Sequence, residues 1–312
     1  MTLASAPGKA ILLGEHAVVF GRPAIAVPVW EVAARAEVLD DPGAPPGSIW
    51  LEAPAIDLAG DLAALDPAHP LPRIVLDTLH AICVEQPGAL RLRVTSTIPI
   101  ASGLGSGAAV SVAIARALSQ HLGHPLHPSQ ISDLAYAVER IHHGTPSGID
   151  NTVVAFGQPV YFRRGEVPEP FRVGASVCLV LGDTGVPVPT AAAVSGVRER
   201  HRQSPETYEA RFDAIGALAD EGRDCIEAGR LHDLGIRMSR NHELLQDIGV
   251  SSPALDGLVR AALEAGAWGA KLSGAGLGGT MLALAPPGCQ QEIAGALLRA
   301  GAVQTFTTQV GA

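Results

Sequence analysis

The sequence is short of lysine and cysteine, and it lacks long apolar runs and basic clusters. Each shortage removes a class of protein. Among 22 basic residues only Lys9 and Lys271 are lysine, and arginine fills the other positions. Cys83, Cys178, Cys225 and Cys289 lie far apart, without a Cys-x-x-Cys pair, so neither a disulfide framework nor a structural zinc site is indicated. No run of about 18 apolar residues occurs, so no membrane partner is expected. The first residues, Met-Thr-Leu-Ala-Ser-Ala-Pro-Gly-Lys, show no basic stretch leading into an apolar one; a cytoplasmic location is the expectation. A net charge of −9 with no Lys/Arg cluster argues against a nucleic-acid surface.

What is present suits a globular chain: 312 residues, 47% apolar and 17% charged, a length at which about two domains are expected. The lysine shortage also points inward. Where arginine serves almost everywhere else, a retained lysine marks a place that needs a compact ammonium and not a planar guanidinium. Lys9 and Lys271 both stand beside glycine-rich segments.

Residues 4–32 read as extended segments joined by turns, and 40–72, rich in Pro, Ala and Asp, as a loop-rich connection. Leu90, Leu92 and Val94 alternate with Arg91, Arg93 and Thr95, predicting a half-buried strand over 89–97. A glycine-rich turn at 103–107 runs into a helical stripe of Val110, Ala113, Ile114, Ala117 and Leu118. Another helix is predicted at 129–141, and 144–150 reads as a Gly/Pro/Ser turn. A polar stretch around 163–175 places the domain boundary, giving domains of 1–168 and 169–312. The second half is predicted to hold a strand at 177–181, helices at 190–201, 205–229 and 230–247, and a helix capped by Ser252 with Pro253 first. A strand at 280–285 and a helix at 288–300 follow. Strands and helices mixed without regular alternation predict an α+β fold.

Three segments carry chemistry. In the first, Pro99, Ile100, Ala101, Ser102, Gly103, Leu104, Gly105, Ser106, Gly107, Ala108 and Ala109 pass from strand to helix. Glycines there let backbone N–H groups approach an anion, and the helix N-terminus adds partial positive charge. The lysine-bearing P-loop pattern is absent. A dinucleotide fingerprint also fits Gly103, Gly105 and Ala108, but it requires a parallel strand after the helix, and His124-Pro-Leu-His-Pro128 follows instead. The second segment, Ala6 to Val19, places Lys9 close to the acid–histidine pair Glu15-His16; an edge strand with a salt bridge would read the same way. The third, His143-Gly-Thr-Pro-Ser-Gly-Ile-Asp-Asn151, sets Asp150 after a tight polar turn, which is also what an Asx-type turn before a strand would look like.

Together with Lys271-Leu-Ser-Gly-Ala-Gly-Leu-Gly-Gly279, these segments occur in the order of the GHMP small-molecule kinases, and the chain resembles that superfamily over about residues 4–285. Gly14-Glu-His-Ala-Val-Val19, Gly144 to Asn151 and the stretch from Asn241 to Asp256 resemble the members that phosphorylate mevalonate. The resemblance implies a two-domain GHMP fold, with an N-terminal ribosomal-protein-S5-like α/β domain and a ferredoxin-like C-terminal α/β domain. It implies ATP as phosphate donor, Mg²⁺ as cofactor, mevalonate as small-molecule substrate and a homodimer. Pro99 to Ala109 would wrap the ATP phosphates, braced by Gly274 and Gly276. Asp150 matches the catalytic aspartate that takes the proton of the acceptor hydroxyl, and Lys9 the lysine beside it, suited to stabilise developing charge. Glu15, His16 and Thr190 match positions near the substrate, His16 as a hydrogen-bond donor to its carboxylate. Glu139 matches the Mg²⁺-binding glutamate.

Two departures stand out. The superfamily usually has Gly-Leu-Gly-Ser-Ser-Ala, whose second serine binds the metal; here Gly107 takes that place, so either Ser106 shifts to that role or water replaces the side chain. Many relatives also carry a basic residue before Thr190, where this chain has Gly185 and Val188. The competing readings are a GHMP kinase for phosphomevalonate, galactose or homoserine, and a non-catalytic sensor of ATP and a metabolite.

Overall fold

The computed structural model describes residues 1–99, 102–143 and 146–311, with His142 and His143 described by backbone alone. Ile100 and Ala101 of the expected phosphate loop, and Gly144 and Thr145 of the third segment, lie outside the described residues. The chain forms two compact units interleaved in sequence: Met1–Gly8, Val32–Pro99 and Gly105–Gly157 make the first, and Lys9–Glu31, 102–104 and 158–311 the second.

The first unit takes the opening residues of β1 (Thr2–Leu13) and the later part of β2 (Ala24–Asp40). It adds β3 (Ile49–Ala53), β4 (Leu58–Asp61), helix α1 (Pro70–Ala81) and β5 (Leu90–Ser96). Helices α2 (Ser106–His121), α3 (Pro128–His143) and α4 (Ile149–Phe156) complete it. β5 pairs antiparallel with β2, Ala34 opposite Ser96, and parallel with β3, Ile49 opposite Leu90. Its alternation is real: Leu90, Leu92 and Val94 are buried while Arg91 and Arg93 face outward. α2 buries Ala109, Val112, Ala113 and Leu118, each large aliphatic contributing roughly 1.5–3 kcal/mol. Arg116 of α2 donates to Ser5 O at 2.6 Å and Ala155 O at 2.8 Å, tying the start of β1 and the end of α4 to one helix.

Two expectations need correction here. The loop-rich reading of 40–72 misses β3, β4 and the start of α1. Pro70 and Pro72 suggest a loop, yet in the first turn of a helix a proline has no intrahelical N–H bond to lose. The turn predicted over 144–150 reaches too far, because Ile149 and Asp150 already belong to α4 (Ile149–Phe156).

In the second unit β6 (Val160–Phe162) pairs with Ala24–Ala26 and with the short β7 (Glu169–Pro170). Next come β8 (Val177–Asp183), α5 (Thr190–Gln203), α6 (Pro205–Glu227), α7 (Leu231–Asp247) and α8 (Pro253–Glu264). The chain closes with β9 (Gly269–Leu272), β10 (Thr280–Leu284), α9 (Gln290–Arg299) and β11 (Gln304–Val310). The antiparallel order β11-β8-β10-β9, with helices following β8 and β10 along the chain, is the ferredoxin-like arrangement. Ser252 caps α8 by accepting from Leu255 N, and Pro253 sits first. At β9 the sheet and α7 touch backbone to backbone. A Cβ on Gly269 would stand 1.9 Å from Gly235 O, so the two glycines let helix and strand approach as closely as they do.

Candidate active site

β1 carries the first site residue. Lys9 is buried at 3% exposure and its backbone N–H donates to Leu104 O at 2.9 Å. The strand ends at Gly14, whose φ of +99° and contact with the Ala24 backbone, 2.5 Å from where a Cβ would sit, admit no side chain. The chain then turns sharply. His16 adopts φ 60°, ψ −48°, and Ala17 N–H donates to Glu15 O at 2.6 Å, a γ-turn of positive φ that is strained for a residue with a side chain.

Several hydrogen bonds hold that strain in place. The imidazole of His16 is buried, and its Nε2 lies 2.9 Å from Ala275 O. A carbonyl only accepts, so Nε2 carries the proton and Nδ1 is the free acceptor. Burial pushes the imidazole pKa down to about 4, with the Arg200 charge adding to the shift. His16 is therefore neutral at physiological pH, and its single N–H is committed to Ala275. The expected donation from His16 to a substrate carboxylate does not match this geometry. Because its folded pKa is depressed, His16 favours folding above its unfolded pKa and loses that contribution as pH falls from 6.5 toward 4, about 3 kcal/mol in all. His16→Asn keeps a residue tolerant of positive φ and cannot titrate. Urea unfolding at pH 4.5 and 7.5 is expected to show a smaller acid loss in this variant than in the parent.

Glu15 and Lys271, 256 positions apart in sequence, meet as a fully buried ion pair, each at 0% exposure. The three ammonium donors of Lys271 are all engaged: Glu15 Oε1, Leu272 O at 2.6 Å and Ile11 O at 3.4 Å. A compact, three-donor cation suits that set, which accounts for this lysine against the arginine background. The other carboxylate oxygen of Glu15 accepts from Asn241 Nδ2 at 3.2 Å. Burial raises the Glu15 pKa and lowers that of Lys271, while their mutual attraction opposes both shifts. The Glu15 carboxylate thus faces protein groups on both oxygens. Lys271 and Asn241 as its partners are not legible in the sequence; the scarcity of lysine is the one signal that marks Lys271.

The two glycine-rich segments meet within the second unit. Ser102 O accepts from Thr280 Oγ1 at 2.8 Å, and Gly103 and Gly274 face each other, each near the other loop's backbone. Gly279 O accepts from Thr184, Gly279 N–H donates to Val186 O, and Leu277 N–H donates to Val250 O at 2.8 Å. Ser273 Oγ pairs with both N and O of Ile11, at 3.1 and 3.2 Å. The loop of Gly274 and Gly276 is therefore stitched to 102–104, to the segment after β8 and to β1. Thr190, exposed, opens α5.

The first unit holds the other expected groups. Gly105, in left-handed conformation, is the N-cap of α2 and offers no capping side chain. Ser106 is half-buried in the first turn, Gly107 is exposed, and Ala108 and Ala109 are buried. Asp150 is half-buried in the first turn of α4. That helix is fastened to α3 by Asn151, whose Nδ2 donates to Ser132 O and Oγ at 3.0 and 2.8 Å, and by Thr152 Oγ1 beside Ser132. Glu139, half-buried, is borne by α3. Among the described residues no group of three or more His, Cys, Asp or Glu forms a metal cage. Magnesium bound with a nucleotide typically uses one or two carboxylates, phosphate oxygens and water, so Glu139 with one hydroxyl is a compatible donor set. A Cβ on Gly107 would meet nothing within 4 Å. Gly107→Ser is therefore expected to fold normally, gaining a few tenths of a kcal/mol of helix propensity. If a second hydroxyl strengthens the metal site, the Mg²⁺ concentration for half-maximal turnover falls; an Mg²⁺ titration checks it.

Comparison with known proteins fits this architecture. The family description "GHMP kinases N terminal domain" matches residues 73–158, and "GHMP kinases C terminal" matches 223–303. The chain belongs to the GHMP kinases, ATP-dependent kinases of small molecules. Relatives within that class that align over nearly the full length include mevalonate kinases. That of Pyrococcus horikoshii is 38% identical, over 98% of this chain and 94% of the relative; that of Pyrococcus abyssi is 38% identical, over 98% and 95%. The structure of L. major mevalonate kinase in complex with R-mevalonate superposes with TM-score 0.84 at 28% identity, covering 99% of this chain and 96% of the other. A Streptococcus pneumoniae phosphomevalonate kinase reaches 0.85 at 16% identity, so the fold alone does not select the acceptor. No helix among the described residues is long and apolar enough to cross a membrane.

Proposed function

We propose that this protein is a mevalonate kinase, transferring the γ-phosphate of ATP to the C5 hydroxyl of (R)-mevalonate to give 5-phosphomevalonate and ADP. The observation that carries this reading is the full-length similarity, at 38% identity, to a mevalonate kinase. In the reading, residues 1–168 form the ATP-binding domain and 169–312 the C-terminal domain. The loop from Pro99 to Ala109 and the N-terminus of α2 hold the phosphates, braced by Gly274 and Gly276. Asp150 takes the hydroxyl proton as oxygen attacks phosphorus, and Lys9 stabilises the charge that develops. Glu139, with Ser106, would hold Mg²⁺, which neutralises β- and γ-phosphate charge when bound. Thr190 and the Glu15-His16 turn shape the acceptor end, with Nδ1 of His16 available as an acceptor. The enzyme is cytoplasmic and homodimeric in this reading.

ADP release measured over mevalonate, phosphomevalonate, galactose and homoserine tests the assignment. Turnover with mevalonate well above the others is expected. Preference for another acceptor replaces mevalonate, and ligand-dependent stabilisation without ADP release with any of them replaces the kinase by a sensor.

A further inference from the structure

The residues around Glu15 form a closed chain of contacts that ends at His16. Lys271 leaves β9 and ties three places together: the Glu15 carboxylate, Ile11 O of β1 and Leu272 O of its own strand. Asn241 reaches the second Glu15 oxygen from α7. The close approach of α7 to β9 at Gly235 and Gly269 sets the distance from which Asn241 can do so. Glu15 in turn supplies the carbonyl that closes the γ-turn at His16. Both Glu15 and Lys271 have 0% exposure, as does Asn241. A turn at φ 60° persists only when its surroundings over-determine it, and these contacts supply that determination from two distant elements.

We infer that Lys271 and Asn241 are positioning residues for the acceptor, acting through Glu15 to hold His16 in its strained turn against Ala275. Glu15 then serves by anchoring, not by touching substrate. The inference rests on the proposed acceptor, and the test separates the two.

The experiment is steady-state kinetics of the full chain, with KM measured separately for (R)-mevalonate and for ATP, alongside circular dichroism and thermal unfolding. If the parent protein releases no ADP with mevalonate, the acceptor assignment has failed. If it does, the variants judge the inference. Lys271→Met is expected to raise the mevalonate KM by about ten- to a hundredfold, as loss of positioning by around an ångström does, with ATP KM changed less than about twofold. Asn241→Leu, which leaves the ion pair intact, is expected to shift the same KM in the same direction by a smaller factor. Lys271→Arg should recover part of the loss by restoring the charge. If Lys271→Met fails to fold, the Asn241→Leu result decides. An equal rise in both KM values, or lower activity that tracks only the loss of folded protein, would overturn the inference.

Discussion

Asp150→Asn is expected to lower turnover by roughly two to four orders of magnitude, the range lost when a positioned base is removed. Asparagine keeps the size and the first-turn position in α4 but cannot receive the proton of an attacking hydroxyl. The fold is expected to survive, because Asn151 and Thr152 fasten α4 to α3 through Ser132 and both stay in place in the variant. The informative comparison is kcat against KM. A group that acts only as the phosphate moves should reduce kcat with little change in either substrate KM. Near-normal turnover in the variant would remove Asp150 from the mechanism.

Lys271→Met is expected to cost about 3–5 kcal/mol of stability, the usual penalty for leaving one member of a buried ion pair without its partner. The Glu15 carboxylate would remain at 0% exposure, still accepting from the neutral Asn241 Nδ2 but without the Lys271 charge, and burial already raises its pKa. The variant is therefore expected to bind a proton on Glu15 and to lose less stability at pH 5 than at pH 8. The double variant Glu15→Gln/Lys271→Met should recover most of the loss, since replacing a whole buried pair by neutral groups is often close to neutral. Urea unfolding at the two pH values measures all three. A single-variant cost under about 1 kcal/mol would show that the pair does not hold β1 to β9.

Periodicity is legible where an element has one buried face and enough length to repeat. β5 alternates over Leu90, Leu92 and Val94, α2 carries a stripe over three turns, and α8 announces its start with Ser252 and Pro253. β9 has four residues, Gly269–Leu272, all buried, so it has no alternation to read. α4 has eight residues behind a stretch of Gly, Pro and Ser, too few to repeat a stripe, and it depends on the Ser132 contacts from α3. β3 and β4 are short and sit in a proline-rich stretch whose composition resembles a loop.

The site divides along the same line. By itself the sequence determined the order of the glycine-rich loops, the acid–histidine pair after β1, Asp150 beyond a stretch rich in Gly, Pro and Ser, and the membership that these imply. Each of those signals is local, carried by residues a few positions apart whose spacing has a direct chemical meaning. The tertiary structure alone decided what Glu15 and His16 do with their polar atoms. Glu15 meets Lys271 across 256 positions and His16 meets Ala275 across 259, and no pattern in the chain records a contact at that separation. Those contacts turn a carboxylate inward and commit the imidazole proton, because a buried polar group must find its partner inside the fold.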